Sequence, residues 1–291
     1  MISKNKIVIG TAQFDTSYGI SNSGIILNQS EVNKIFDLAD KNQISFFDTS
    51  MNYGNSEKII GDNNNSKLSI ITKLPKVPEM DKSKVELWII SQVENSIERL
   101  KVNNLYGLIL HYPDQLFTST GDIIFKSLIN LKKEKKIKKI GLSIYSTDDL
   151  YRYIKNFDLD LVQAPFNIVD QRIISRKIIE LLNLNNIELH VRSIFLQGLL
   201  LMSSHQIPKY FNKWSHIFKK WHEWLKIKNI SALEACLAFT YNEKSIDRLV
   251  IGVNNSQQLE QIIKLNFDKN MEFPDIASCD EGLINPSNWC Y

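Results

Sequence analysis

Eight times along 291 residues a short apolar run gives way to a longer segment with helical spacing, and nothing else in the sequence constrains the fold as tightly. Strands are expected at 7–10, 45–48, 68–73, 105–111, 139–143, 161–164, 187–192 and 248–251. These runs are short and mostly apolar rather than alternating, the pattern of strands buried on both faces of a parallel sheet. Helices are expected at 31–41, 56–61, 82–101, 122–133, 147–155, 173–182, 216–227, 231–242 and 256–265. In the first of these, apolar positions 32, 35, 36, 38 and 39 trace one face of a helix. Ser56 and Thr147 stand where N-caps belong, and Gly61 where a helix stops. Eight strand–helix units in a chain of this length predict an α/β fold, a single (β/α)8 TIM barrel forming one domain over about residues 7–265. Residues 266–291, with Pro274 and Pro286 and no clear period, read as a C-terminal tail over the barrel.

Charge and composition exclude several classes. The formal net charge is +3, too mild to argue for nucleic acid. The one basic run, 132–139, lacks the interleaved aromatic residues that stack on bases, so it reads as a solvated helix end and a turn. No apolar run approaches the ~20 residues that span a bilayer, and the polar N-terminus runs straight into a strand. A cytoplasmic protein without a membrane partner is expected. Cys236, Cys279 and Cys290 have no metal-ligand spacing and are expected as free thiols, Cys236 in the core. The aromatic stripe Trp214, Phe218, Trp221 and Trp224 has the spacing of core packing.

In such a barrel, reactive groups sit where strands end, on the C-terminal face. Asp48 ends the second strand, Lys73 the third and His111 the fourth, with Tyr53 five residues after Asp48. Any one of these alone would suggest a cap, a turn or a rim residue. Together they form a set suited to carbonyl reduction, in which hydride arrives at carbon and negative charge develops on oxygen. Tyr53 would donate the proton. Lys73 would lower the phenol's pKa by stabilising the phenolate. Asp48 would hold Lys73 charged, and His111 would orient the substrate oxygen.

The motifs around these residues resemble the aldo-keto reductase family. Phe47-Asp48-Thr49-Ser50-Met51-Asn52-Tyr53-Gly54 looks like its signature, Ile71-Thr72-Lys73-Leu74 like its lysine strand and Leu108-Ile109-Leu110-His111 like its histidine strand. The resemblance runs from about residue 7 to 265. It implies the tetrad Asp48, Tyr53, Lys73 and His111 and a nicotinamide cofactor, NADPH first and NADH second. It further implies that Ser143 and Gln163 hold the carboxamide and that 192–200 wraps the pyrophosphate, giving Arg192, Ser193, Phe195, Leu196 and Gly198 as contacts. Gly252, Asn254 and Gln258 are implied at the adenosine phosphate. The chain departs from the family at three places. Ile144 stands where an Asn is usual, Arg192 where an aromatic ring is usual, and the last loop offers neutral Val253, Asn254 and Gln258 where Lys or Arg is common. No GxGxxG is present, as expected for this barrel.

Substrate is read from the first loop, where Gln13, Phe14 and Tyr18 lie at the mouth, and from Arg192; a polar, sugar-like or acidic carbonyl compound is expected. The pattern is also similar to aldo-keto reductases found with bacterial surface-polysaccharide pathways. Two alternatives stand beside the reductase: a non-catalytic nucleotide-binding barrel of the same family, and a lyase or aldolase using Lys73 as a Schiff base.

Overall fold

Parallel strands buried on both faces need a crossover of a dozen or more residues between neighbours, and helices supply it. The computed structural model, which describes residues 4–15, 19–20, 27–64, 68–268 and 270–290, closes these units into a barrel of strand order β1 to β8. The strands are β1 (Ile7–Gly10), β2 (Phe46–Asp48), β3 (Ser69–Leu74), β4 (Leu105–Leu110), β5 (Ile137–Ser143), β6 (Leu161–Pro165), β7 (Glu188–Arg192) and β8 (Arg248–Gly252). All neighbours pair in parallel, and β1 closes on β8 through Ile7↔Leu249.

The helices are α1 (Ala12–Asp15), α2 (Gln29–Lys41), α3 (Ser56–Asn63), α4 (Lys82–Leu100), α5 (Gly121–Lys133), α6 (Leu150–Asn156), α7 (Arg176–Leu184), α8 (Ser215–Lys228), α9 (Ala232–Asn242), α10 (Ser256–Lys264) and α11 (Glu281–Ile284). The larger apolar core lies between the outer faces of the strands and these helices; Val32 and Ile35 of α2, Val85 and Ile89 of α4, and Trp221 of α8 belong to it. The aromatic stripe is core packing: Trp221 is buried and stacks on Trp224 at 5.6 Å. All three cysteines are free, and Cys236 is buried. Among the described residues no helix is long and apolar enough to cross a membrane.

Three local expectations fail for physical reasons. Ser56 is not a cap, because its Oγ donates to the Thr11 carbonyl at 3.0 Å; Asn55 takes the cap position. Gly61 does not stop α3, which runs on to Asn63. It is needed because α4 passes so close that a Cβ at 61 would lie 2.0 Å from the Arg99 carbonyl oxygen. Thr147 does not start α6, which begins at Leu150. The Asp148 N–H instead donates to Ser146 Oγ at 3.2 Å, a local turn that competes with helix.

The tail folds back on the loops that follow β6 and β7. Ser278 N donates to the Val169 carbonyl at 2.8 Å, Trp214 Nε1 to Asp280 at 3.0 Å, and Arg172 pairs with Glu281.

Candidate active site

Side chains at alternate strand positions point into a barrel. Here Val8, Ile71, Ile109 and Leu161 form an apolar layer inside it, with Phe46 and Val250 packed against them. Two residues further along each strand lie Gly10, Asp48, Lys73, His111, Gln163 and Gly252. The residues picked from the strand ends are therefore the next layer of the interior, at its C-terminal mouth. Ser143 ends β5 in register with Gln163, and Arg192 ends β7 in register with Pro165.

Asp48 and Lys73 are 4% and 2% exposed, and their ion pair is short, with Nζ to Oδ1 at 2.5 Å. Burying a charge pair is tolerable only when the remaining valences are met. Lys73 also donates to the Thr49 carbonyl at 2.9 Å, and Gln163 Nε2 donates to Asp48 Oδ2 at 2.7 Å. The Tyr53 ring lies over this pair, 5.3 Å from Lys73 Nζ. Its loop is tightly turned: Tyr53 N donates to the Ser50 carbonyl at 3.0 Å and Ser56 N to the Tyr53 carbonyl at 2.9 Å. Gly54 follows with φ +54°, and a Cβ there would strike Asp15 Oδ2 at 2.4 Å. That Asp15 oxygen accepts from Asn55 N at 2.7 Å and ties the first loop to the tyrosine loop. Glycine after Tyr53 thus answers both a left-handed turn and a close approach.

The electrostatics differ from the expectation in one respect. Burial first, and then the Asp48 carboxylate, pushes the Tyr53 phenol's pKa well above its usual value, and Arg192 is the cation that opposes them. Lys73, whose charge is shared with Asp48, does not outweigh burial and that carboxylate. The phenol is therefore a proton held in reserve. Burial, then Lys73 and Arg192, draw the His111 pKa down to about 4. His111 is a neutral imidazole at physiological pH, and its buried Nδ1 has no hydrogen-bond partner.

A cavity of about 810 Å³ opens over Asp48, Lys73 and Tyr53 and runs toward the loops after β7 and β8. Gln163, Arg192, Ser193, Phe195 and Gly198 line it, as do Gly252, Asn254 and Gln258 at its far end, and Gln13 from the first loop. His111, Ser143 and Leu196 are not among its lining residues. Leu196 is fully buried, and Ser143 is 4% exposed. Phe14, expected at the mouth, is buried in the core edge-on to Phe36 at 6.2 Å. Tyr18 lies outside the described residues. The loop after β7 carries consecutive left-handed residues, Leu196, Gln197 and Gly198, with φ of 48°, 53° and 92°. Each such non-glycine residue costs roughly 1–3 kcal/mol, a cost found mainly at ligand-binding segments.

Sequence reasoning missed part of this lining and a ring beside it, Tyr145, which is not itself a lining residue. Tyr145 lies under Arg192, whose guanidinium carbon is 4.1 Å from the ring centroid while Nη2 donates to the Ile144 carbonyl at 3.1 Å. Its only signal was its place two residues after Ser143. Met202, Gln206 and Gln261 also line the cavity, and no motif marks them.

The fold and this layer of side chains define a barrel with a buried ion pair under a protonated tyrosine at the floor of a long cleft. Residues 6–281 match the aldo/keto reductase family, and the chain belongs to this family of oxidoreductases. A curated relative, the NADH-specific methylglyoxal reductase of Escherichia coli strain K12, is 26% identical over 185 residues, covering 54% of this chain and 54% of its own. The chain thus matches about half the length of that relative. Among solved structures, an aldo-keto reductase from Bacillus halodurans in its holo form is similar at 16% identity and TM-score 0.70, covering 89% of this chain and 85% of that one. A glycerol dehydrogenase from Gluconobacter oxydans is similar at 19% identity and TM-score 0.68, over 90% of this chain and 86% of that one. At those identities the likeness concerns the fold.

Family members use nicotinamide cofactors, and the residues present fit one. Gln163 is fully buried on the cavity wall, its Nε2 is spent on Asp48, and its Oε1 has no partner. A buried acceptor left open beside a cleft suits an incoming amide donor such as a carboxamide.

Proposed function

We propose that the chain reduces an aldehyde or ketone to an alcohol with a nicotinamide dinucleotide, Tyr53 giving the proton. The observation that carries this reading is the buried Asp48–Lys73 pair beneath Tyr53 on the floor of the cleft. Gln163, Ser193, Phe195, Gly198, Gly252, Asn254 and Gln258 would hold the dinucleotide, with Ser143 and Leu196 supporting that wall from behind. Bound there, the reduced cofactor supplies the hydride.

The protein's own part is to handle charge on oxygen. Its phenol pKa is raised, so Tyr53 keeps its proton until an alkoxide, a stronger base than any phenolate, draws it away. Lys73 and Arg192 then offer positive charge to the phenolate left behind, which costs little reorganisation because both are already fixed. Neutral His111 donates or accepts a hydrogen bond without competing as an acid. The substrate is a small carbonyl compound, polar or acidic, that can sit between Gln13 and Arg192. The relative's name makes methylglyoxal a first compound to try. The resemblance to members associated with surface polysaccharides makes a sugar aldehyde the second.

The Schiff-base alternative fits the geometry poorly, because an ammonium bonded to both Asp48 and the Thr49 carbonyl is no nucleophile. The test is turnover of methylglyoxal and sugar aldehydes by wild type and Tyr53→Phe, with dinucleotide affinity measured alongside. Loss of the phenol proton is expected to slow reduction by about 10²–10⁴-fold while affinity holds. Full activity in the variant would remove Tyr53 as the acid, and no turnover of any carbonyl by wild type would favour the non-catalytic barrel.

A further inference from the structure

Beside the far end of the cleft, held against the residues that line it, stands a carboxylate that no motif marked, Glu31. Helix α10 starts there, after the Asn255 cap, and three backbone amides around that start are taken by the chain's own oxygens. Asn254 N donates to Gln258 Oε1 at 2.8 Å, Gln258 N to Asn255 Oδ1 at 2.8 Å, and Ser256 N to Glu31 Oε2 at 2.9 Å. Ser256 Oγ also donates to Glu31 Oε2, at 2.9 Å, and Lys34 Nζ to Glu31 Oε1, at 2.8 Å.

Glu31 is therefore met by a helix N-terminal amide, a hydroxyl and an ammonium. That donor set is one a phosphate monoester would seek. The carboxylate is held in place from α2. Asn28 caps that helix by accepting from Glu31 N at 2.9 Å, so Glu31 sits in its first turn and reaches across to α10. Its side chain is 23% exposed. Hydrogen bonds from Lys34 and then from Ser256 draw its pKa down to about 2, so it carries its charge at any physiological pH. Ser256 lies between Asn254 and Gln258, both of which line the cleft, along with Gln261 of the same helix. Those three side chains are neutral. The same cleft holds the buried, unpartnered Gln163 Oε1 at its other end.

We propose that Glu31 makes the cleft select NADH over NADPH, by filling the donors that a 2′-phosphate would need and by repelling its charge. The inference rests on the proposed dinucleotide reading. Selection of this kind works by penalising the wrong ligand, not by adding contacts to the right one. It also turns the resemblance's first choice of NADPH around. The last loop offers neutral Val253, Asn254 and Gln258, and the cation beside it, Lys34, is paired with Glu31.

The experiment is a fluorescence titration of the full chain with NADH and with NADPH, at low and high salt, for wild type and Glu31→Gln. Calorimetry with 5′-AMP and adenosine 2′,5′-bisphosphate reads the adenosine end alone. Wild type is expected to bind NADH, and the nucleotide without the 2′-phosphate, at least about tenfold more tightly. In Glu31→Gln the NADH/NADPH affinity ratio should fall by about tenfold. Added salt should narrow the ratio in wild type, because it screens a repulsion; this arm stands even if the variant fails to fold. NADPH binding as tight as NADH in wild type, an unchanged ratio in the variant, or a ratio that widens with salt would each overturn the role of Glu31 while leaving the reductase reading intact. Binding of neither dinucleotide would bring down both.

Discussion

The barrel holds two polar clusters, each built from a carboxylate, a lysine, a tyrosine, a histidine and an arginine, and only one of them lines the cleft described above. At the C-terminal mouth stand Asp48, Lys73, Tyr53, His111 and Arg192. Toward the N-terminal end stand Glu188, Lys139, Tyr106, His190 and Arg248. In the lower cluster every side chain engages a neighbour, although His190 Nδ1 and Arg248 Nε have no hydrogen-bond partner. Lys139 pairs with Glu188 at 2.7 Å, Tyr106 OH donates to it at 2.9 Å, and His190 Nε2 approaches it at 3.1 Å. Arg248 lies 3.7 Å over the Phe46 ring and bonds the Asn5 carbonyl. In the upper cluster Lys73 and Gln163 each bond one oxygen of Asp48. The Tyr53 hydroxyl makes no hydrogen bond to any described residue. Composition does not make a site. What separates the two is a proton with no internal destination, next to space for a ligand.

Substitutions can sharpen or break that contrast. The largest effect is expected from Lys73→Met, which leaves Asp48 buried with half its partners. Removing one partner of a buried pair costs about 3–5 kcal/mol, measurable by chemical denaturation, and reduction should be lost with it. Adding Asp48→Asn should recover much of the stability and none of the turnover. If the double variant reduces carbonyls, the upper pair is scaffolding like the lower one. Glu188→Gln should come next, costing about 1–3 kcal/mol through weakened bonds to Lys139 and His190, with turnover per folded molecule unchanged. A fall in its kcat would mean that the apolar layer does not insulate the two ends.

The smallest effect is a matter of pH. The His111 pKa is lowered from 6.5 to about 4, so below pH 6.5 the unfolded chain takes a proton that the folded chain refuses. Stability should fall as pH drops from about 6.5 to about 4, by on the order of 2 kcal/mol after solvent screening. At Glu188 burial pushes the pKa up, but His190 and Lys139 outweigh it and hold it at about 2 instead of 4.5. Its contribution is present above pH 4.5 and is lost between about 4.5 and 2. Denaturation midpoints against pH in His111→Gln and Glu188→Gln should remove the two windows separately. A single shared window would show the clusters to be coupled.

The barrel and the placement of Asp48, Tyr53, Lys73 and His111 were legible because both follow from short-range pattern. Strand and helix periods are written in adjacent residues, and strand ends place Asp48, Lys73 and His111 at one mouth whatever the packing. Helix starts were less so. Ser56 looks like a cap in sequence, but its hydroxyl is drawn to Thr11 by a tertiary contact. Glu31, Tyr145 and Lys139 were not legible at all. Glu31 meets a residue more than two hundred positions away, Tyr145 is defined by an arginine from another strand, and Lys139 reads as the end of a solvated basic run until β7 brings Glu188 to it. Even the sign of the Tyr53 shift was out of reach, since it is set by burial and by the Asp48 carboxylate, which together outweigh the nearby cations.

Closure of the barrel also has a cost in time. β1 takes β2 as a partner early, but its other edge, from Ile7 to Gly10, waits for β8, about 240 residues later. At the usual speed of translation, about 5–20 residues per second, that is on the order of ten to fifty seconds. Through that interval a fully buried strand is an open hydrogen-bonding edge, and the nascent chain must be kept from pairing it with a stranger.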